Sequence, residues 1–486
     1  MLFLFLFLGS FLPAADLRLT YRSEIDGTDQ PYRVYAPENQ PKGTKLPVMI
    51  AMHGTGGNES TLLDDPRYEK GAIRRAADEY GVLVVSPFGR GVTEYRGIGE
   101  NDVFCVLAEV RKRFAIDEDR IYLTGHSMGG TGAAYLALHH PDLFAGAAPL
   151  AAAYSFPWLA ANAQHVPFLW ISGAADEVFY QRGVAVGVDR MRLLRTPVET
   201  IVIPGEGHFG PVQDFERVFA WLIRHKRVVN PDQYVFEVDT PLHGTAWFTT
   251  VVKIAKPGRI AVVRYKKGQL QLDNVSELAF HPTSHTSQLR VNGKVILKQP
   301  IPKGQELLLT ESNGKWHARL RGHREPDLTV YRRFTVAQAP ATLEMTGPDS
   351  RLAHWVAEAM QRATGADIAL YNRMHYRGLP VQAGPIDVVD LIQLSRPFDQ
   401  YLVTVELTGR EIEEIIEANR KVATRVVTAS IAHIDPNRNY KVALEGQVVE
   451  RETISLAGSF GKLPYKTTDI SFTMALYGHA TGGLIR

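Results

Sequence analysis

The sequence contains a single cysteine, Cys105, among 486 residues. This count excludes a disulfide within the chain and any zinc or iron–sulfur site built from several cysteines. Cys105 lies in the apolar segment DVFCVLAEV, whose pattern predicts a helix. We therefore expect its thiol to be buried in the core and unreactive.

Net charge is almost absent as well. The 54 Lys and Arg residues nearly balance the 52 Asp and Glu residues, which leaves a formal net charge of +2. Such a balance provides no general attraction for nucleic acid, so we expect no nucleic-acid partner. The hydrophobic fraction of 45% is ordinary for a globular protein that buries a core.

Long hydrophobic runs are missing beyond the N-terminus, so no membrane span is expected in the mature protein. The first residues, MLFLFLFLGSFLPAAD, contain a short apolar core that is typical of a secretory signal. No Lys or Arg precedes this core, and Pro13 lies beside the expected cleavage point, so a hydrophobic first strand is the alternative. We expect a signal peptide over 1–15 and a secreted or periplasmic protein.

Apolar strand patterns alternate with helical patterns between residues 16 and 228. The strand patterns are near-continuous apolar runs, as expected when helices cover both faces of a sheet. They are LPVMIAM (46–52), VLVVSPF (82–88), RIYLTG (120–125), FLWISG (168–173) and ETIVIPG (199–205). The alternation predicts an α/β domain with a doubly wound, mainly parallel sheet.

Two smaller modules are expected after this domain. Residues 229–337 contain short alternating segments, and the pairs Asn292-Gly293 and Asn313-Gly314 predict tight hairpins in an all-β module. Residues 338–486 mix helix and strand patterns and predict an α+β module. Its first helix, within DSRLAHWVAEAMQRATG, should end at Gly365.

The pentapeptide GHSMG surrounds Ser127 with glycines at the junction of a predicted strand and a predicted helix. A sharp strand-to-helix turn there would lift the serine hydroxyl above the sheet, and Gly125 and Gly129 would leave room for the turn. The helix N-terminus would favour developing negative charge. This context predicts a nucleophilic serine, although the bare pentapeptide also occurs by chance.

A serine nucleophile needs a base and an acid that orients the base. Asp176 follows one later strand, and His208 follows the last one, both in glycine-rich loops. Ligands bind at the carboxyl ends of strands in such sheets. We expect Asp176 and His208 to complete a catalytic triad, with Glu177 and Glu206 as alternative acids.

The segment AMHGTGGN (51–58) follows an early strand and can direct backbone N–H groups at an oxyanion. We expect donors from Gly54 or Thr55 and from Met128, the residue after the nucleophile. His53 is expected to brace the loop. In the segment 87–102, the side chains of Tyr95, Arg96 and Glu100 would line a substrate pocket, or else Asn101 or Asp102 would cap the following helix.

Together, the segments YRVYAPEN, MHGTGGN, LTGHSMGG, SGAADEVF and GEGHF resemble the α/β-hydrolase superfamily. The resemblance is to secreted esterases related to polyhydroxybutyrate depolymerases and feruloyl or acetylxylan esterases, and it covers residues 20–228. It implies an ester hydrolase that works through an acyl-enzyme without cofactor or metal, with small-molecule or polymer ester substrates. A serine peptidase of the prolyl-oligopeptidase type and a non-catalytic binding protein are the alternatives.

The last module resembles the C-terminal, nucleoside-recognising domain of 5′-nucleotidases over residues 347–445. The resemblance implies ligand contacts from Asn372, Arg377 and Phe398. A second stacking ring of that family is missing here, and no metal-binding catalytic half is present, so at most a weak nucleoside ligand is expected. Trp247, Trp316 and Tyr331 of the β module would pack in its core or form a glycan-stacking face.

Overall fold

The computed structural model describes residues 11–12, 15–38, 40–41, 43–68, 72–281, 288–323, 326–331, 335–345, 350–372, 380–394, 400–420, 427–446 and 465–481. No helix in these ranges has the length and apolar content needed to span a bilayer. Of the expected signal segment 1–15, only three residues are described. Strand β1 (Phe11–Leu12) pairs antiparallel with β4 (Gln40–Pro41). Export of the chain therefore stays a prediction.

The first domain is built around one eight-stranded mixed sheet. Its strand order is β10-β9-β8-β7-β5-β6-β3-β2, with parallel pairing from β10 to β6 and antiparallel pairing of β6 with β3 and of β3 with β2. The strands are β2 (Ala15–Arg22), β3 (Asp29–Ala36), β5 (Leu46–Met52), β6 (Leu83–Pro87), β7 (Ile116–His126), β8 (Gly146–Leu150), β9 (Phe168–Gly173) and β10 (Val198–Ile203).

Helices cover both faces of this sheet. Along β5, Val48 and Ile50 face one hydrophobic core while Met49 and Ala51 face a second, and all four are buried. Burial on both faces explains why the strand reads as a continuous apolar run. The helices are α1 (Thr61–Asp64), α2 (Ala72–Tyr80), α3 (Ile98–Arg113), α4 (Met128–His139), α5 (Val178–Leu193) and α6 (Phe215–Leu222).

The sequence pattern missed some of these elements. Strand β8 reads GAAPL, which has no β-branched residue, so its apolar pattern is weak. Helix α3 begins at Ile98 after Gly97, so the expected cap at Asn101 or Asp102 is wrong. Cys105 lies in this helix but is only partly buried, and burial raises the pKa of its thiol to about 11.

The middle module contains two five-stranded sheets, as the hairpin signals predicted. Asn292 and Gly293, and likewise Asn313 and Gly314, have positive φ between paired strands, which confirms both tight turns. One sheet contains β11 (Gln233–Val238), β14 (Ala261–Lys266), β15 (Gln269–Asp273), β17 (Leu289–Val291) and β18 (Lys294–Leu297). The other contains β12 (Thr245–Ala246), β13 (Thr249–Ile254), β16 (Val275–Phe280), β19 (Gln305–Ser312) and β20 (Lys315–Gly322).

The last module has α+β structure. Its first helix ends at Gly365, which adopts a left-handed conformation as expected. A two-stranded sheet joins β21 (Thr335–Ala339) to β23 (Gly384–Asp387), so the expected module boundary at 337/338 falls inside β21. The remaining elements are β22 (Ile368–Asn372), β24 (Tyr401–Thr408), β25 (Val427–Ala429), β26 (Asn439–Glu445), β27 (Tyr465–Ser471), α7 (Arg351–Thr364), α8 (Val388–Leu394), α9 (Gly409–Arg420) and α10 (Phe472–Ala480).

Candidate active site

Ser127 occupies the turn between β7 and α4. Its backbone has φ 55° and ψ −114°, a strained conformation for a residue with a side chain. The turn is held because Ser127 N donates to Leu150 O of the neighbouring strand at 2.9 Å. Ser127 itself is half-buried.

Two glycines permit this turn. A Cβ atom on Gly129 would lie 2.1 Å from Met52 O, and one on Gly125 would lie 2.5 Å from the Gly129 carbonyl carbon. Both contacts are with backbone, which cannot move aside without displacing a central strand. The glycines of the pentapeptide are therefore required for close packing of the turn against β5.

His208 and Asp176 are hydrogen-bonded to each other. His208 Nδ1 donates to Asp176 Oδ2 at 2.9 Å, and Asp176 Oδ1 accepts from Glu177 N at 2.8 Å. The Asp176 side chain is 2% exposed and that of His208 is 25% exposed. The buried carboxylate thus orients the ring, which is itself partly exposed to solvent. Of the three acids considered from the sequence, Asp176 is the one in this contact.

His126 connects the His208 loop to the turn that carries Ser127. Its Nε2 donates to His208 O at 2.8 Å, and its Nδ1 accepts from the Tyr68 hydroxyl at 2.9 Å. The His126 and His208 ring centroids are 4.8 Å apart. Burial, together with the charge of His208, lowers the pKa of His126 to about 3, so its ring is neutral. Sequence reasoning missed His126 and Tyr68, although His126 lies inside the pentapeptide.

The expected oxyanion loop lies beside Ser127. A Cβ atom built on Gly54 would be 3.4 Å from Ser127 Cβ, and Gly57 N donates to Gly54 O at 3.0 Å to close a turn that includes the exposed Thr55. The Met128 N–H belongs to the first turn of α4, where backbone donors have no acceptor within the helix. The loop and the helix start therefore meet at the same serine.

His53 supports this loop from below, in agreement with its expected bracing role. Its ring is buried and contacts Gly54 O at 2.8 Å and Phe88 O at 2.9 Å. The backbone N–H of His53 donates to the Tyr95 hydroxyl oxygen at 3.0 Å. Tyr95 and Arg96 are both buried; the Tyr95 hydroxyl supports the loop through His53, and Arg96 pairs with Glu94 at 3.1 Å.

Glu100, the third expected pocket residue, is also buried, at the junction with the middle module. Its carboxylate contacts His140 Nε2 at 2.6 Å and His243 Nε2 at 3.1 Å. It borders a cavity of about 60 Å³ that is partly open to solvent and is also lined by Leu242 and Val389 of the later modules. Ser127 does not line this cavity. The expectation that Glu100 lines a substrate pocket beside Ser127 is therefore wrong.

Three groups of His and carboxylate side chains in the described ranges are compact enough to hold a metal ion, and none includes a residue of the expected triad. Two of the groups share His243. The groups are Glu100, His140 and His243; His139, Asp239 and His243; and His281, Glu306 and His323.

The expected ligand residues of the last module are only partly described. Asn372 is buried at the end of β22. Arg377 and Phe398 lie outside the described residues, so a nucleoside ligand stays a prediction. In the middle module, Trp247 packs against Tyr234 with ring centroids 4.7 Å apart, which agrees with a core role for that side chain.

Two family matches fall on the regions described above. Residues 105–183 match the family described as "Putative esterase", and residues 333–450 match the family described as 5′-nucleotidase, C-terminal domain.

Curated relatives match part of this chain. A bifunctional acetylxylan esterase/xylanase of Neocallimastix patriciarum is 29% identical over 170 residues, which are 33% of this chain and 24% of that protein. An S-formylglutathione hydrolase of Paracoccus denitrificans is 27% identical over 151 residues, which are 26% of this chain and 52% of that protein. The chain thus spans about half or less of the length of these relatives.

Two solved structures are similar to part of this chain. A fluorophosphonate-binding serine hydrolase of Staphylococcus aureus is 23% identical, with 43% of this chain and 99% of that chain covered and a TM-score of 0.38. A ferulic acid esterase of Anaeromyces mucronatus is 16% identical, with 43% and 89% covered and a TM-score of 0.37.

Proposed function

Because the chain joins an α/β-hydrolase domain of the esterase family to a 5′-nucleotidase C-terminal domain, we propose that it is a serine hydrolase of carboxylic esters. The observation that carries the proposal is the hydrogen bond between His208 and Asp176 beside the strained turn of Ser127. The names of the relatives, which include acetylxylan esterase and S-formylglutathione hydrolase, support esters of small acyl groups as substrates.

In the proposed reaction, Ser127 Oγ attacks the ester carbonyl while His208 Nε2 takes the hydroxyl proton. Asp176 holds the imidazole in the tautomer with Nδ1 protonated and stabilises the imidazolium. Backbone N–H groups of Gly54 or Thr55 and of Met128 donate to the oxyanion, each contributing about 3 kcal/mol. His208 returns the proton to the leaving alcohol, and water then releases the acid from Ser127 by the same steps.

The proposed place of action is outside the cytoplasm, in the periplasm or the medium. The short apolar N-terminal core and the single cysteine are compatible with export. A fusion of residues 1–40 to a reporter that is active only after export would test this part of the proposal separately from catalysis.

Replacing Ser127 by alanine is expected to abolish hydrolysis of a short p-nitrophenyl ester, because no other group would form the acyl-enzyme. A fluorophosphonate probe should label the unaltered protein and fail to label Ser127→Ala. The control Ser276→Ala, which replaces a serine of the middle module, should be labelled normally. Turnover by Ser127→Ala at the rate of the unaltered protein would refute the proposal. Comparing ester substrates with dipeptide amides would separate an esterase from a peptidase.

A further inference from the structure

Three side chains of the middle module converge at one end of a sheet. His281 follows β16, Glu306 lies in β19 and His323 follows β20, and these three strands are neighbours. Backbone hydrogen bonds anchor both histidines: His281 N donates to Phe248 O at 2.7 Å and His323 N to Gly304 O at 2.9 Å. The group is more than 100 residues from Ser127 along the chain and has no part in the proposed hydrolysis.

Their polar atoms form a small triangle. His281 Nδ1 lies 2.7 Å from His323 Nδ1 and 3.0 Å from Glu306 Oε2, and His323 Nδ1 lies 2.9 Å from the same oxygen. Protons cannot satisfy all three contacts together. If both Nδ1 atoms carry a proton, the two N–H groups face each other, and if only one does, the other nitrogen presents a lone pair to the carboxylate oxygen. A cation bound to all three atoms removes this conflict.

The surrounding contacts orient the triangle toward a ligand. His281 Nε2 lies 3.1 Å from Thr250 Oγ1, and when Nε2 donates to that oxygen, Nδ1 carries the lone pair. Arg321 Nε donates to Glu306 Oε1, which leaves Oε2 for the triangle. Partners of this kind fix the tautomer and orientation of metal ligands. The positive charge of Arg321 opposes a cation, so the affinity should be lower than for an uncompensated carboxylate.

The dimensions suit a transition-metal ion. An ion ~2.1 Å from each of the three atoms, the usual zinc distance, would lie about 1.3 Å out of their plane, with all three ligands on one side. The side chains of His281 and His323 are 12% and 20% exposed, so solvent can reach the open side. A site with two imidazoles and one carboxylate binds zinc in preference to calcium or magnesium, which favour oxygen ligands.

We propose that His281, Glu306 and His323 bind a divalent transition-metal ion, best matched by zinc, that fastens the ends of β16, β19 and β20 to one another. The other candidate groups differ in a decisive way. In the cluster around His243, each ring nitrogen faces a different carboxylate, Glu100 on one side and Asp239 on the other. Hydrogen bonds and ion pairing can satisfy that arrangement without a metal.

The test uses the full chain without an affinity tag, stripped with EDTA and titrated with ZnCl2 by calorimetry. We expect one zinc site in the unaltered protein, and loss of that site in His281→Gln and in His323→Gln. His317→Gln alters an exposed histidine of the same strand β20 and should bind zinc normally. Absence of zinc binding in the unaltered protein, or equal binding by His281→Gln, His323→Gln and the control, would overturn the proposal.

A second variant tests the role of the surrounding contacts. Thr250→Val keeps all three ligands and removes the hydroxyl that contacts His281 Nε2 and Thr245 Oγ1, so zinc affinity should fall by roughly 10–100-fold. Cobalt substitution should produce visible absorption bands of low-coordinate Co²⁺ in the unaltered protein and not in His323→Gln. Circular dichroism confirms that each variant is folded, and unchanged cobalt bands in folded His323→Gln would contradict the assignment. None of these measurements depends on hydrolysis.

Discussion

His208 is held by two contacts within the first domain, one with its imidazole ring and one with its backbone oxygen. Asp176 accepts from its ring, and His126 donates to its backbone oxygen. Burial keeps the His126 ring neutral, and with its proton on Nε2 the ring donates to His208 O while Nδ1 accepts from the Tyr68 hydroxyl. The His208 loop is therefore held against the turn of Ser127 by a histidine that itself does not titrate near neutral pH.

At this scale we predict that Asp176→Asn lowers kcat for ester hydrolysis by about 10⁴-fold. An amide at this position stabilises the wrong imidazole tautomer and cannot stabilise the imidazolium. Steady-state kinetics with a p-nitrophenyl ester would measure the effect. The neighbouring variant Glu177→Gln should stay close to the unaltered rate, and an equal loss in both variants would mean that Asp176 has no particular role.

Among the structural elements, the turn between β7 and α4 requires glycines, which have no side chain. Gly129 approaches the carbonyl of Met52 in β5, so the turn at Ser127 and the central strand are packed backbone against backbone. A closely packed protein interior accommodates an extra methyl group only with a loss of folding free energy. The conformation of Ser127 is thus a consequence of how two elements fit together.

We predict that Gly129→Ala destabilises the first domain by more than about 2 kcal/mol and abolishes hydrolysis. The added methyl group would meet backbone at 2.1 Å, and relief would require moving the turn away from β5. Urea unfolding and ester hydrolysis measure the two effects. Gly322→Ala, where a Cβ meets no atom within 4 Å, is the control and should change neither. Normal stability and activity of Gly129→Ala would refute the packing argument.

At the scale of the whole molecule, polar groups join the first domain to the middle module. Asn162 Nδ2 donates to Glu237 O at 2.8 Å, and Glu237 Oε2 accepts from Ala161 N at 3.0 Å. Burial raises the pKa of Glu237 to about 7. Burial also opposes the charge on His243, but Glu100 and Asp239 outweigh it and raise the pKa of His243 to about 10.

Deprotonation of Glu237 and of His243 weakens the contact between the first domain and the middle module as the pH rises. The unfolded chain has ordinary pKa values near 4.5 for Glu237 and 6.5 for His243, and both values are raised in the folded state. The stabilising effect of the protonated form is therefore complete below the ordinary value and is lost as the pH passes the folded one. The loss runs from about pH 4.5 to 7 for Glu237 and from about pH 6.5 to 10 for His243.

We predict that the melting temperature falls by roughly 3–6 °C between pH 6 and pH 9.5. Glu237→Gln keeps an oxygen acceptor for Ala161 N and should remove the part of the fall that occurs below pH 7. The exposed Glu413→Gln is the control and should leave the profile unchanged. Scanning calorimetry across this pH range measures the effect, and a melting temperature that rises with pH would contradict the assignment.

Local sequence was sufficient to predict the turn at Ser127, the two Asn-Gly hairpins and the end of α7 at Gly365. Each of these features depends on residues within a few positions of one another, because backbone conformation and glycine content decide them. The contact between Asp176 and His208 was also predicted from the sequence, since strand ends in a parallel sheet meet at one edge.

Tertiary structure alone decided the contacts between distant segments. It brought His126 to the His208 loop, buried Tyr95 against His53 of the Gly54 loop, and placed Glu100 against His243 of another module. It also gathered the polar atoms of His281, Glu306 and His323 within 3.0 Å of one another. No pattern of nearby residues specifies such groups, because they depend on strand register and on how separate modules pack.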